Sequence, residues 1–237
     1  MGEESKRFYI RLMQKEDIEE VARLLSITFP DREPCTSYLG ISHEDFYEHF
    51  GKEWTEECAK DDLSFVCLDT QLEEGKQIIG FRCSHPLKLS EIKEVKIDDN
   101  DNFNVTDAFS DVVNDYKREW FKVHSEEKDA KCVFFLALGT KEGYENLGIA
   151  SKLVNASLNN AKEKGYDYVY VIASAAQTQH IFENKYKFKA IIRKEYEKFE
   201  YKGVNFLSGV KITKELIGYE LDLRNWDSTT NEVINRF

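Results

Sequence analysis

The pattern of apolar and polar positions predicts a chain in which strands and helices alternate. Continuous or alternating apolar runs indicate strands, and apolar positions spaced by three and four indicate helices. Strands are predicted at 8–12, 63–68, 77–83, 134–140, 167–174, 188–199, 204–210 and 219–223. Helices are predicted at 15–28, 42–60, 104–123, 149–164 and 175–186, and the polar stretch 88–104 is predicted as a loop.

This order of elements predicts a single α+β domain spanning residues 1–237. No repeat, low-complexity tract or linker rich in proline, glycine or serine divides the chain. Strands joined through a helix can pair in parallel, whereas strands joined by short turns pair antiparallel. We therefore expect one mixed sheet, mostly antiparallel, with a parallel pair at its centre and helices flanking it.

The centre of the chain is a strand, a polar turn and a helix. The apolar strand at 134–140 leads into a turn that ends at Gly148, and an amphipathic helix follows. Small residues at the start of a helix let the backbone approach a ligand, and the free N–H groups there point toward a bound anion. This pattern predicts a phosphate or pyrophosphate site, although the nucleotide P-loop and the dinucleotide glycine motif are both missing. The alternative is that Gly148 and Ala150 only allow close packing of the helix on the strand.

Two prolines stiffen the segment that follows the first helix. Pro30 and Pro34 lie four residues apart, and they are expected to break that helix from residue 29 onward. The residue before a proline is disfavoured in the helical region. Glu33, directly before Pro34, is therefore expected to have an extended backbone on a restrained loop.

Composition and charge narrow the class of protein. The chain has a net charge of −11 and 41% hydrophobic residues, which predicts a folded protein that binds neither nucleic acid nor anionic membranes and suits a cationic small molecule. It has no apolar span of about 18 residues and no apolar segment near its N-terminus, so neither a transmembrane helix nor a signal peptide is expected. Five cysteines without Cys-x-x-Cys spacing predict reduced thiols, no zinc site and a cytoplasmic location.

The order of elements, together with the turn at 144–150, resembles the GCN5-related N-acetyltransferase superfamily. The acetyl-CoA loop of that superfamily reads Arg/Gln-x-x-Gly-x-Gly/Ala, and the segment 145–150 fits three of its positions. The resemblance spans about residues 7–212 and departs from the family at Glu145, where a cationic or amide residue is usual, and at Lys187, where glycine is usual. It implies acetyl-CoA as co-substrate, held chiefly by backbone N–H groups. The residues implied to bind it are Leu138, Gly139, Thr140, Glu145, Asn146, Leu147, Gly148, Ile149, Ala150 and Ser151.

Within that superfamily the chain resembles the invertebrate type of arylalkylamine N-acetyltransferase. Those enzymes carry a Phe…Asp-Glu-Pro-Leu segment after the first helix, and the segment 29–35 looks like it. The resemblance implies that Glu33 is the general base. Those enzymes also carry two serines four positions apart after the last parallel strand, and Ser174 and Thr178 occupy the matching positions. Tyr186 lies near a tyrosine that is a general acid in many relatives, but an extra residue shifts the frame and we do not assign it that role.

The implied reaction places specific demands on these residues. An amine with a pKa near 10 is about one part in a thousand neutral at pH 7, which costs roughly 4 kcal/mol before attack begins. A carboxylate such as Glu33 can take that proton, directly or through a water. The resemblance implies a splayed strand at 136–140 whose backbone N–H stabilises the oxyanion, with Gly139 suited to a bulge or to close approach of pantetheine. Ser174 and Thr178 are candidates to relay a proton to the thiolate or to hold the amine, and Ser174 is equally suited to cap the next helix.

Two other chemistries are disfavoured. His43 and His49 lie among carboxylates, but without tight ligand spacing they indicate a solvated helix face and no metal site. Cys35 beside Glu33 suggests a covalent acyl-cysteine route, whereas the resemblance implies direct transfer.

The sequence therefore predicts an acetyl-CoA-dependent N-acetyltransferase for a small primary amine, with an arylalkylamine such as a biogenic monoamine as the first choice. Aromatic residues of the 42–54 and 109–120 helices are candidates to bind an aromatic ring, or are plain core. One alternative is an acetyltransferase for polyamines, protein N-termini or lysines. Another is a CoA-binding module without catalysis, which Glu145 and Lys187 favour. A monomer or weak homodimer is expected.

Overall fold

One sheet forms the centre of the molecule. The computed structural model describes residues 7–92 and 103–227. The strands are β1 (Phe8–Leu12), β2 (Phe65–Asp69), β3 (Ile78–Pro86), β4 (Cys132–Thr140), β5 (Tyr168–Ala173), β6 (Lys189–Glu195) and β7 (Glu215–Asp222). They lie in the order β1-β2-β3-β4-β5-β7-β6.

Helices connect these strands. The α-helices of the described ranges are α1 (Ile18–Arg32), α2 (Pro34–Tyr38), α3 (His43–Phe46), α4 (Lys52–Cys58), α5 (Val105–Val123), α6 (Ile149–Glu163) and α7 (Ala176–His180). A π-helical turn, Tyr47–Gly51, joins α3 to α4, and a second one, Ile181–Lys185, continues α7. Within the part of the chain that the structure describes, no helix combines the length and the apolar character needed to cross a membrane.

The pairing of the strands confirms the predicted α+β class. β4 and β5 are parallel, and every other neighbouring pair is antiparallel. A parallel pair needs a crossover connection, and α6 provides it between β4 and β5. The result is one mixed, mostly antiparallel sheet with flanking helices.

Helices cover both faces of the sheet, and each face has its own apolar core. Successive residues of a strand point to opposite faces, as β4 demonstrates. Phe134 packs among residues of α1 and α5, whereas Phe135 packs among residues of α6 and of the π-helical turn after α7. Both side chains are at most 1% exposed, and fully burying a large apolar side chain stabilises a fold by about 1.5–3 kcal/mol. These two residues therefore fix β4 between two helical layers.

The first helix runs further than predicted. α1 continues through Pro30 to Arg32, so the expected break at residue 29 is wrong. The Glu33 N–H donates to the Phe29 carbonyl at 2.8 Å, which closes the last turn beyond the proline. Because Pro30 is buried, its packing offsets the loss of its backbone donor.

The region after β6 also differs from the prediction. Residues 204–210 form turns that contain only an isolated bridge between Tyr201 and Val204, so the strand predicted there is wrong. Its apolar residues Phe206, Leu207 and Val210 are buried in the core under α1 and α5, which explains the strand-like pattern without a partner strand. The last strand is longer than expected and begins at Glu215. Residues 93–102 of the predicted loop at 88–104 lie outside the described residues.

β4 and β5 separate part of the way along their length. Their pairing ends at Phe135 and Val171. Beyond this point β4 stays paired with β3 as far as Thr140, and β5 stays paired with β7 as far as Ala173. We call the opening the β4–β5 gap, and its narrow end at Phe135 and Val171 the vertex.

A bulge in β4 accompanies the gap. Cys83 pairs with Ala137 and Ser84 with Phe135, so Leu136 is the extra residue. Of the two alternatives for Gly139, the bulge is wrong, because Gly139 lies in regular register with Phe81. A Cβ on Gly139 would lie 2.5 Å from the Phe81 ring, so this glycine makes room for an aromatic side chain.

Candidate active site

A cavity of about 660 Å³ occupies the β4–β5 gap. It extends from the start of α6, past the end of β4, to Glu33 between α1 and α2. Nearly all residues predicted for the site line it. They are Glu33, Leu138, Gly139, Thr140, Glu145, Asn146, Gly148, Ile149, Ala150, Ser151, Ser174 and Thr178. Leu147 does not line it, and its side chain is 46% exposed on the outside of the turn.

One end of this cavity lies at the first turn of α6, whose backbone geometry suits an anion. Gly148 caps the helix with φ +77°, a left-handed backbone that glycine adopts without steric cost. The first intrahelical bond runs from the Lys152 N–H to the Gly148 carbonyl at 3.1 Å. The N–H groups of Ile149, Ala150 and Ser151 precede it and have no carbonyl within the helix to bond. Together with the helix dipole they suit a phosphate group.

Glu145, the acidic residue in this turn, has a cationic partner. Its carboxylate forms an ion pair with Arg32 at 2.7 Å, and it accepts a hydrogen bond from the Gly143 N–H at 2.8 Å. The pKa of Glu145 is lowered, first by a hydrogen bond from its own backbone N–H and next by Arg32. Arg32, the last residue of α1, was missed by the sequence reasoning. Arg32 places a positive charge beside the turn, whereas the family usually has a cationic residue within the turn itself.

The N–H and C=O groups of two β4 residues point into the β4–β5 gap. Alternate residues of a strand turn these groups to opposite sides. Lys141, which follows β4, donates its N–H to the carbonyl of Ile79 in β3. Leu138 and Thr140 alternate with Lys141, so their N–H and C=O groups point away from β3. Before the bulge it is the odd-numbered residues that turn these groups toward β5. The Lys131 carbonyl, just before β4, accepts a hydrogen bond from the Tyr168 N–H of β5. The bulge thus directs Leu138 and Thr140 toward the cavity.

Glu33 is held at the other end of the cavity. Its backbone is extended, with φ −81° and ψ 123°, as the prediction from Pro34 required. Its carboxylate caps α2 by accepting the N–H of Cys35 at 3.0 Å and that of Thr36 at 2.7 Å. Each oxygen accepts one of these bonds, and each has a second lone pair. The side chain is therefore fixed in position and borders the cavity.

Cys35 lies beneath Glu33 and is protonated. Burial raises the pKa of the Cys35 thiol well above its usual range, and the nearby Glu33 charge raises it further. A thiol is a weak nucleophile compared with a thiolate. This environment disfavours the acyl-cysteine route.

Ser174 and Thr178 lie where β5 meets α7, and both border the cavity. α7 begins at Ala176, and its N-terminal cap is Ala175 without a side-chain bond, so the alternative in which Ser174 caps the helix is wrong. The Ser174 carbonyl accepts a hydrogen bond from Thr213 at 2.7 Å, and Thr213 contacts the Tyr196 hydroxyl at 3.0 Å. Thr213 and Tyr196 were missed, because a contact between residues 17 positions apart leaves no local pattern in the sequence.

Tyr186 is not among the described residues that line the cavity. Its hydroxyl donates to the Ser151 carbonyl at 2.5 Å, and burial raises its pKa. It therefore fastens the π-helical turn to the start of α6. The neighbouring Lys187 has φ +59°, the left-handed conformation for which the family uses glycine at this position.

Comparison with known proteins supports the fold through structure alone. No protein-family model and no curated protein sequence matches the chain. Arylalkylamine N-acetyltransferase 2 from Aedes aegypti has a TM-score of 0.73 at 15% identity, over 92% of this chain and 100% of that one. Drosophila melanogaster polyamine N-acetyltransferase, described as forming N-acetylagmatine, has a TM-score of 0.71 at 13% identity over 91% and 99%. Arabidopsis thaliana Naa50, solved with a bisubstrate analogue containing CoA and a peptide, has a TM-score of 0.51 at 10% identity over 91% and 99%.

These likenesses identify the fold. The chain has the fold of the GCN5-related N-acetyltransferases, which confirms the predicted resemblance. The solved structures that it resembles include N-acetyltransferases of insects named for arylalkylamines and for polyamines.

Proposed function

We propose that the chain is an acetyl-CoA-dependent N-acetyltransferase that moves an acetyl group directly to a small primary amine of the arylalkylamine class. One observation carries this proposal. A single cavity connects the anion-binding end at α6 with the carboxylate of Glu33, along backbone groups of β4 that point into it. Direct transfer requires that donor and acceptor share one enclosed space.

The donor side follows from the backbone. The pyrophosphate of acetyl-CoA is placed on the N–H groups at the start of α6, and its pantetheine arm then follows β4 inward to the vertex. Leu138 and Thr140 provide hydrogen-bonding partners for that arm. Of the two, Leu138 lies nearer the vertex, so its N–H is the candidate donor to the oxyanion that forms on the thioester carbonyl.

The acceptor side follows from Glu33. In the proposed step Glu33 first takes a proton from the ammonium through a water and passes it to solvent. The neutral amine nitrogen then attacks the thioester carbon, the C–S bond breaks with its electron pair going to sulfur, and Glu33 receives the second proton that the nitrogen loses as the amide forms. Because Cys35 and Thr36 fix the carboxylate, little reorganisation is needed at the moment of transfer.

The walls near Glu33 favour an aromatic amine. Phe29, Trp54 and Phe109 border the cavity. The rings of Phe29 and Trp54 lie edge to face, with their centroids 6.2 Å apart. Aromatic side chains offer both apolar area and a favourable edge-to-face geometry to a substrate ring. The net charge of −11 favours the approach of a cationic amine.

A panel of amines with acetyl-CoA tests this proposal. Tryptamine, phenylethylamine, agmatine, spermidine and a lysine-containing peptide are compared by kcat/KM. We expect arylalkylamines to exceed spermidine by about tenfold or more, since one ring bound in an apolar site contributes on the order of 1.5–3 kcal/mol. Turnover of spermidine without turnover of tryptamine would replace the proposed substrate class. Binding of CoA with no turnover of any amine would indicate a binding module without catalysis.

A polyamine is the second candidate substrate. A further cavity of about 730 Å³ shares Trp54, Val113 and Leu136 with the first. Its lining includes the carboxylates of Glu53, Glu57, Glu91 and Asp107 together with the cations of Lys60, Lys88 and Lys117. Carboxylates at that position would suit the second ammonium of a diamine, and the panel decides between the two classes.

A further inference from the structure

Arg82 is a buried cation whose charge has no carboxylate partner among the described residues. It lies in β3 and is 1% exposed. Its Nε and Nη2 atoms form no hydrogen bond within the described ranges, and burial lowers its pKa to about 9. Buried charges in proteins are normally paired, because removing an unpaired charge from water is costly. An unpaired guanidinium therefore requires an explanation.

Arg82 lies at the vertex of the β4–β5 gap. Arg82 pairs with Leu138 across the sheet, and its guanidinium carbon lies 3.8 Å from the centre of the Phe135 ring. Phe135 is the last residue of β4 that pairs with β5. Arg82 also borders the cavity that fills the gap. An anionic atom at the vertex would lie beside this guanidinium.

We propose, building on the acetyltransferase activity proposed above, that Arg82 stabilises the thiolate of CoA as it leaves. The pantetheine arm enters from the start of α6, so its sulfur is the part that reaches deepest toward the vertex. When the C–S bond breaks, the electron pair goes to sulfur and the amine proton goes to Glu33. A positive charge at the vertex then stabilises the thiolate without any proton transfer to it.

This role fits the rest of the site. Tyr186 is bonded to the Ser151 carbonyl, so its hydroxyl is engaged away from the vertex. Arginine keeps its charge over the working pH range and stacks well on aromatic rings. The Arg82 guanidinium lies over the Phe135 ring in this way. The guanidinium borders the cavity, and in the poorly solvated interior its charge acts strongly on an anion placed at the vertex.

Titration of the thiol of bound CoA tests this role without any amine. Thiolate absorbance in the ultraviolet is followed against pH for the full chain saturated with CoA. We expect the bound thiol to have a lower pKa than free CoA in the wild type, and Arg82→Met to raise the pKa of the bound thiol by one unit or more. Arg82→Lys, which keeps the positive charge, should lie between them.

Lys117→Met is the matched control. Lys117 is half-buried, burial lowers its pKa, and its Nζ lies 4.6 Å from the centre of the Phe134 ring, on the opposite face of β4. Losing this cation should leave the thiol pKa unchanged. Binding of desulfo-CoA, which lacks the sulfur, checks that each variant retains a folded site.

The outcomes separate this inference from the function on which it rests. Absence of CoA binding by the wild type would overturn the proposed acetyltransferase. Equal thiol pKa values in wild type and Arg82→Met, with both binding desulfo-CoA, would overturn only the role of Arg82. If Arg82→Met does not bind desulfo-CoA, the wild type alone tests the proposal. A CoA thiol bound to the wild type with a pKa equal to or above the pKa of the free CoA thiol would contradict it.

Discussion

Replacing Glu33 by glutamine is expected to lower kcat on the order of 100-fold or more while acetyl-CoA affinity stays unchanged. The amide has nearly the shape of the carboxylate but cannot accept the amine proton. In the proposed complex the pyrophosphate of CoA lies at the far end of the cavity, around Gly148, so its binding should not sense the change. Measurements of kcat with the best amine and of CoA affinity by calorimetry separate the two effects.

The pH profile of this variant gives a second readout. Without a general base, turnover depends on amine that is already neutral, so it should rise about tenfold per pH unit below the amine pKa near 10. Glu44→Gln is the control, because Glu44 is an exposed carboxylate with 73% of its side chain accessible, and its loss should change neither rate nor profile. Glutamine also weakens the cap of α2, since only one of its two terminal atoms can accept a hydrogen bond, and thermal unfolding would detect any structural loss. Turnover equal to that of the wild type would remove Glu33 from the active site.

Replacing Gly148 by aspartate is expected to weaken CoA binding by about 100-fold or more. The substitution adds a negative charge where α6 presents its free N–H groups to the pyrophosphate, and two like charges within a few ångströms repel strongly. Gly148 has φ +77°, and a Cβ added to it would meet no atom within 4 Å. The loss of CoA affinity would therefore come from the added charge and from backbone strain, since the new side chain meets no neighbouring atom. Calorimetry with CoA measures it.

Two other variants distinguish these causes. Gly148→Asn removes the charge and keeps a residue that tolerates a left-handed backbone, so it should bind CoA much more tightly than the aspartate variant. Gly165→Asp introduces the same residue at φ +75° in open space, at the far end of α6. It should lose a similar amount of stability through strain and leave CoA binding intact. Undiminished CoA binding by Gly148→Asp would mean that the turn is not the pyrophosphate site.

Features set by neighbouring residues were predicted correctly from the sequence. β1 lies at the predicted residues because its alternating pattern matches a half-buried strand. The extended backbone of Glu33 follows from the proline after it. The turn that ends at Gly148 and the helix after it also appear as predicted, since glycine is the residue that such a backbone requires.

Features set by distant partners were not predicted. The ion pair of Arg32 with Glu145 joins residues 113 positions apart in the chain (145 minus 32), and no local pattern marks it. Residues 204–210 resemble a strand because Phe206, Leu207 and Val210 are buried, but they pair with no strand of the described sheet. The side chain of Arg82 is ordinary in a strand sequence, and only the three-dimensional structure reveals that its charge is buried with no carboxylate partner in the part of the chain that the structure describes.

The central claim is that acetyl-CoA and an amine react directly in one cavity. The most direct test mixes the protein, acetyl-CoA and the best amine of the panel, and measures free CoA thiol and acetylated amine in the same sample by mass spectrometry. We predict the two products in equal amounts, with no acetyl group left on the protein. Binding of acetyl-CoA without either product for every amine, or an acetylated protein that later releases its acetyl group to the amine, would contradict the account.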